Sequence, residues 1–354
     1  MKKIGIFSPY LNTLGGGERY MLTAAEYFLK KGDAVDIFWN NLNIKDEIKQ
    51  RFEIDLSRVN FVEDIFCSKI NLFKRLTITR KYDLIFYLSD GSIPFLFAKK
   101  NALHFQVPFH GLGGRNFLNK IKLRNINKIV CNSYFTKKFI DKEYGVKSIV
   151  IYPPVAVEEF KPGKKENIIL SVARFTDALH NKRQDVLVEV FKKMVEGGLK
   201  GWKLFLVGGD AEGKKLVMKL KKDSQGYPIE ILTNVSFGEL KKIYAKAKIF
   251  WHAAGYGIDD EKEPEKVEHF GISVVEAMAA GCIPIVVGKG GIKEIIIPGK
   301  DGFLWQTKEE LENLTFQLIK KTSLIKKISQ SLNKSSKRFS KEVFGKKIYE
   351  LVKD

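Results

Sequence analysis

Cysteine is scarce: Cys67, Cys131 and Cys282 are the only three in 354 residues, far apart and odd in number. Such spacing supplies neither a zinc cluster nor a disulfide framework and fits a reducing compartment. No run approaches the roughly 18 apolar residues of a membrane-spanning helix. The opening MKKIGIFSPYLN holds an apolar stretch too short for a secretory leader, interrupted by Pro9 and Asn12. Residues 4–8 read instead as a first buried strand. These absences argue against a secreted or membrane-spanning protein and set a cytoplasmic expectation. The fingerprint G-x-G-x-x-G is missing, so a nicotinamide or flavin cofactor is disfavoured. No His/Cys set has ligand spacing and Asp259-Asp260 is not a D-x-D pair, so no metal is expected.

Arginine is also scarce. Ten of the 61 basic residues are arginine, so the net charge of +20 rests on 51 lysines. Residues 91–140 contain no Asp or Glu, yet hold Lys99, Lys100, Arg115, Lys120, Lys122, Arg124, Lys128, Lys137 and Lys138. Phe95, Leu96, Phe97, Phe105, Phe109, Leu112, Phe117 and Leu118 punctuate that window. Basic and aromatic residues together suit an anionic lipid surface or nucleic acid. Core phenylalanines under solvated lysines produce the same pattern. The lipid surface is the favoured partner, and nucleic acid is not expected.

Hydrophobic residues make up 44%, enough core for two domains. Short apolar runs predict buried strands at 3–8, 34–38, 84–88, 102–105, 128–131 and 148–151, with helices between them, one over 18–31 and one led by Ser133. Pro153-Pro154 and Pro162-Gly163 read as a connector. Alternation restarts with strands at 168–172, 203–207, 229–232, 249–251, 283–287 and 302–305, and helices at 184–196, 211–221 and 237–246. Residues 259–267, rich in both charges, read as a mobile surface loop. Residues 307–352 read as helical. Strand–helix alternation of this kind implies parallel sheets covered by helices. The fold class expected is α/β, two doubly wound Rossmann-like units facing across a cleft.

The segment EHFGISVVEAMAAG, residues 268–281, carries the chemistry. Gly271-Ile272-Ser273 starts a helix, where unpaired N–H groups and the helix dipole favour a pyrophosphate. Glu276 lies inside that helix and suits ribose hydroxyls; Glu268 precedes it and can reach another part of the ligand. Gly15, Gly16 and Gly17 open the first helix and let a ligand approach the backbone. Arg174 ends a strand, and Lys182 in His180-Asn181-Lys182-Arg183 precedes a helix. Together they can neutralise a departing diphosphate. Gly208-Gly209 and Asn234-Val235 end strands where main chain can hold a base. His104, Gln106 and His110 surround Pro108 and are candidates to contact sugar or acceptor.

These residues resemble the retaining nucleotide-sugar glycosyltransferases of the GT-B fold, family four (group 1). Glu268 and Glu276 match the family's E-x7-E motif, with Phe270 and Gly271 inside it. Gly15-Gly16-Gly17-Glu18 looks like its amino-terminal glycine loop, and Asn132-Ser133 and Tyr152-Pro153-Pro154-Val155 like its linker markers. The chain departs from the pattern ahead of Pro108, where many relatives carry His and this one has Gln106. The resemblance implies an acceptor domain over 1–158, a donor domain over 159–335, and a helix over 336–354 returning to the first. It implies transfer of a mannosyl- or glucosyl-type hexose from a UDP- or GDP-linked donor. The acceptor would be a glycan or lipid-linked molecule at the cytoplasmic membrane face, and no cofactor would be needed. Glu268, Arg174 and Lys182 would be catalytic; Glu276, Gly16 and residues 271–273 would bind donor. A sugar-nucleotide epimerase or hydrolase, or a basic docking protein without catalysis, remain the alternatives.

Overall fold

The computed structural model describes residues 1–66, 71–176 and 182–353. Cys67, His180 and Asn181 lie outside them. The chain forms two compact units, Met1–Pro154 with Lys341–Asp354, and Val155–Ser340.

Among the described residues the first unit holds a parallel sheet of β1 (Lys3–Phe7), β2 (Ala34–Phe38), β3 (Asn60–Val62), β4 (Leu84–Leu88), β5 (Lys100–Phe105), β6 (Lys128–Cys131) and β7 (Ile149–Val150). Their order is β3-β2-β1-β4-β5-β6-β7. Its helices are α1 (Gly16–Lys30), α2 (Ile44–Phe52), α3 (Leu72–Thr79), α4 (Phe117–Leu123) and α5 (Tyr134–Tyr144). Every residue of β4 is buried, as expected of a parallel strand covered on both faces. Strand order reverses beside β1, so ligands belong at the carboxyl ends of β1 and its neighbours. Ser133 caps α5, its hydroxyl accepting the Thr136 N–H at 3.0 Å.

The second unit holds β8 (Glu166–Val172), β9 (Lys203–Gly208), β10 (Ile229–Thr233), β11 (Ala247–His252), β12 (Ile283–Val287) and β13 (Phe303–Trp305). They run parallel in the order β10-β9-β8-β11-β12-β13. The helices are α6 (Gln184–Glu196), α7 (Lys214–Asp223), α8 (Phe237–Lys246), α9 (Ile272–Ala279), α10 (Lys308–Lys320) and α11 (Thr322–Ser336). Here the reversal falls between β8 and β11.

The last helix, α12 (Lys341–Tyr349), belongs to the first unit. Phe344 meets Tyr20 of α1 edge-on at 4.7 Å, and Phe344, Ile348, Leu351 and Val352 join the core of that unit. The expected α/β class with two doubly wound units is therefore what the chain adopts.

One expectation needs correction. The polar stretch 259–267 is tied down rather than mobile. Asp260 is buried, and its carboxylate accepts the Gly290 N–H and the Lys293 ammonium, both at 3.0 Å. Burial raises the Asp260 pKa, but those donors outweigh it and hold the group below the usual carboxylate range. The eight apolar residues of the basic window are also not alike: Leu96 and Phe105 are core, while Leu112, Phe117 and Leu118 are exposed.

Candidate active site

In the first unit the glycine loop lies between β1 and α1. Glu18 is buried and folds the loop back on itself, accepting the Gly15 N–H at 2.8 Å and the Thr13 hydroxyl at 2.9 Å. This leaves Gly16 exposed at the helix start. Gly17 lies against Gln106: a Cβ there would come 2.7 Å from Gln106 Oε1. Gln106 sits just past β5, half-buried, with its own carbonyl accepting from Asn132 Nδ2 at 3.0 Å.

His104 does not occupy the ligand-facing position considered for it. It is fully buried inside β5, stacked on Tyr20 with centroids 4.0 Å apart. Burial pushes its pKa down to about 3, only partly opposed by a hydrogen bond to the Val130 carbonyl. An imidazole so placed stays neutral and touches no ligand. His110 is exposed beside Phe139. Of the three polar residues near Pro108, Gln106 is the one that meets the glycine loop.

In the second unit the charged residues converge. Lys182 Nζ lies 2.8 Å from Glu268 Oε2, with side chains 16% and 23% exposed. His252, at the end of β11, brings Nε2 to 3.5 Å from the same oxygen. Burial raises the pKa of Glu268, yet Lys182 and His252 together hold it well below the usual range. Glu268 is thus an anion held through one oxygen. Arg174 follows β8 and is exposed; its carbonyl accepts from Gln184 Nε2 at 3.0 Å, fastening the loop to the start of α6.

Gly271 precedes α9 with φ +111°, a conformation open to glycine, and no side chain caps the helix. Its first N–H groups, at Ile272 and Ser273, are thus offered to an anion. Phe270 is buried and packs edge-on to Phe339 at 5.3 Å, so it supports the turn. Glu276, one turn further, is buried and accepts from the Tyr244 hydroxyl at 3.2 Å. Tyr244 is itself fully buried and also donates to the Ser273 carbonyl. Gly208 packs under the β8 loop, where a Cβ would stand 1.9 Å from the Ala173 carbonyl oxygen. Asn234 links the two strand ends, its N–H donating to the Gly208 carbonyl at 3.0 Å and its Nδ2 to Asp210 at 2.7 Å. Val235 follows it, half-buried.

His252 and Tyr244 received no role from the sequence. His252 had one signal, its position at the end of an apolar strand. Tyr244 had none, because nothing local links position 244 to position 276. Among the described residues no three His, Cys, Asp or Glu side chains gather as a metal site, and no helix is long and apolar enough to cross a membrane.

The first unit also carries an apolar, basic surface. No residue of α4 is buried; Phe117 is 79% exposed, and Phe73 on α3 is 76% exposed. Burial, then the charge of Arg75 on α3, lowers the pKa of Lys122 on α4.

Two doubly wound parallel sheets, with a glycine turn and paired glutamates before and within α9, define the GT-B class. Residues 156–338 match the group 1 glycosyl transferases, and the chain belongs to that family. It is 26% identical over 439 residues to the GDP-Man:Man(3)GlcNAc(2)-PP-Dol alpha-1,2-mannosyltransferase of Dictyostelium discoideum, covering 99% of this chain and 84% of that one. It is 27% identical over 278 residues to an uncharacterized glycosyltransferase of Methanocaldococcus jannaschii, covering 75% and 73%. Among solved structures, a glycosyltransferase from Rickettsia africae matches with a TM-score of 0.77 at 20% identity, covering 99% of this chain and 97% of that one. Anabaena HepE, solved with UDP and glucose, matches with a TM-score of 0.72 at 18% identity, covering 99% of each.

Proposed function

We propose that this glycosyltransferase moves a hexose, with retention, from a nucleotide diphosphate sugar to a glycan or lipid-linked acceptor. The observation that supports this most is the α9 start, where an uncapped glycine turn lies between the Lys182–Glu268 pair and the buried Glu276. The diphosphate rests on the N–H groups of Ile272 and Ser273, with Arg174 and Lys182 as countercharges. Glu276 holds the ribose, and Glu268 accepts from sugar hydroxyls. As the glycosidic bond lengthens, negative charge collects on the phosphate, and donors already in place stabilise it. These donors make a metal unnecessary. The mannosyltransferase relatives favour a lipid-linked acceptor and a GDP-linked donor. The α3–α4 surface then docks on the anionic cytoplasmic leaflet, with Phe73 and Phe117 inserted among headgroups.

Thermal stabilisation by a panel of UDP and GDP sugars, followed by mass-tagged transfer to lipid extract, tests the reading. Stabilisation by at least one donor, lost in Glu276→Ala, is expected; no shift with any nucleotide would refute it. Docking predicts salt-sensitive co-sedimentation with phosphatidylserine vesicles, weakened in a Phe73→Ser/Phe117→Ser variant. Absence of binding at low salt would remove the membrane part.

A further inference from the structure

Arg183, the chain neighbour of Lys182, holds a backbone that glycine adopts freely and other residues seldom do. Its φ is +52° and its ψ +40°, in the left-handed region, immediately before α6. Such a conformation persists only where the surroundings over-determine it. Here the guanidinium does so. Nε and Nη2 donate to the two carboxylate oxygens of Asp185, each at 3.1 Å, and Nη1 donates to the Tyr256 carbonyl at 2.8 Å. The Asp185 pair is partly exposed, so the Tyr256 carbonyl is the firmer hold. The guanidinium also lies over the Tyr256 ring, which packs against the buried Trp305 with centroids 5.2 Å apart. The chain around Tyr256 is wound in turns, its N–H donating to the Ala253 carbonyl at 3.0 Å and that of Ile258 to Gly255 at 3.1 Å. At the far end of this segment Asp260 holds the Gly290 N–H, and the next N–H, of Gly291, donates to the Glu268 carbonyl at 2.9 Å. The fit there is close: a Cβ on Gly290 would stand 2.3 Å from the Glu268 carbonyl oxygen.

We propose that residues 256–260 form a brace that sets the Lys182–Glu268 separation, with Arg183 and Asp260 as its positioning residues. This rests on the glycosyltransferase reading, in which both members of the pair meet the donor, and deepens it. One end of the brace fixes the backbone kink from which the Lys182 side chain leaves. The other fixes the main chain of Glu268 through Gly290 and Gly291. Neither Arg183 nor Asp260 takes a chemical part in transfer.

Two measurements on the full chain test this. The first is calorimetry with UDP and GDP, in wild type and in a Lys182→Met background. Arg183→Ala removes the guanidinium and leaves a side chain that disfavours the kink. Affinity should fall about 10-fold, the worth of a charged hydrogen bond no longer aimed. Arg183→Gly lacks the guanidinium too, but takes the left-handed backbone without strain, so most of that loss should be recovered. In the Lys182→Met background Arg183→Ala should cost less than about 2-fold, because nothing remains to aim. An Arg183→Ala loss that persists undiminished without Lys182, or an Arg183→Gly variant no better than Arg183→Ala, overturns the proposal. The second measurement needs no nucleotide. Carbon-13 NMR of glutamate-labelled protein follows the Glu268 carboxylate, assigned by its loss in Glu268→Gln. In wild type Lys182 and His252 hold that group well below the usual range against burial. Its titration should move up in Arg183→Ala and Asp260→Ala and stay near the wild-type value in Arg183→Gly. Unmoved titration in Arg183→Ala overturns the brace. A wild type that binds neither UDP nor GDP sinks the underlying reading instead, and the carboxylate titration still decides the brace.

Discussion

The Lys182–Glu268 pair makes a quantitative prediction. At 2.8 Å and with side chains about four-fifths buried, its attraction is several kcal/mol at an effective dielectric of about 20. Desolvation of both ions cancels much of that. Breaking a fully buried pair costs about 3–5 kcal/mol. The residual exposure here reduces the expected cost of Lys182→Met to about 2–3 kcal/mol. His252 at 3.5 Å is then the remaining neighbour of the carboxylate among the groups that lower its pKa. A double-mutant cycle with Glu268→Gln should give a coupling of about 2 kcal/mol at pH 7. The sign with pH follows from the depressed carboxylate. Its contribution is complete above the ordinary Glu value of about 4.3 and is lost as pH falls through the folded value. The coupling should therefore shrink on acidification. Three of the four tryptophans, Trp202, Trp251 and Trp305, lie in the second unit. Urea unfolding followed by fluorescence in a Trp39→Phe background isolates that unit. A coupling under about 0.5 kcal/mol at neutral pH, or one that grows in acid, would refute the reasoning.

Two further perturbations probe the same unit. Gly271→Ala places a Cβ at φ +111° and 3.3 Å from Ile292 Cγ1, so stability should fall by about 1–3 kcal/mol and nucleotide affinity at least about 10-fold; an unchanged melting temperature and unchanged UDP or GDP calorimetry would contradict it. Lys165 Nζ donates to the carbonyls of Ala247 at 2.8 Å and Ala280 at 2.6 Å, closing the ends of α8 and α9. Lys165→Met should cost about 2–3 kcal/mol, because those acceptors lose a charged donor. Burial lowers the Lys165 pKa, so wild type should gain on the variant as pH rises from the folded value toward about 10.4; a flat difference would argue against it.

Much of this fold could be read from local pattern. The buried strands are short apolar runs, so β1, β4, β8 and β12 are visible as such. Other elements were not visible. β3 has only Asn60, Phe61 and Val62, and α2 is so polar that its period is faint. Helices α3 and α4 present apolar residues to solvent, which defeats a reading that equates apolar with core. In the site, residues 268–276 were legible because glycine, helix start and carboxylates are neighbours in sequence. The Lys182–Glu268 contact spans 86 residues and is made by the sheet. His104 shows the opposite failure. Its residue type suggests chemistry, and only its burial reveals a silent role.

The C-terminal helix has a consequence for how this protein is made. Tyr20 and Phe28, near the beginning of the polypeptide, share a core with Phe344 and Ile348 near its end. The intervening residues 155–340 are one uninterrupted stretch and can settle as they leave the ribosome. The amino-terminal sheet, though synthesised first, must wait with an uncovered apolar face until α12 emerges. Of the two units, the one begun first is thus completed second, and in that interval it offers chaperones a surface that the folded unit hides.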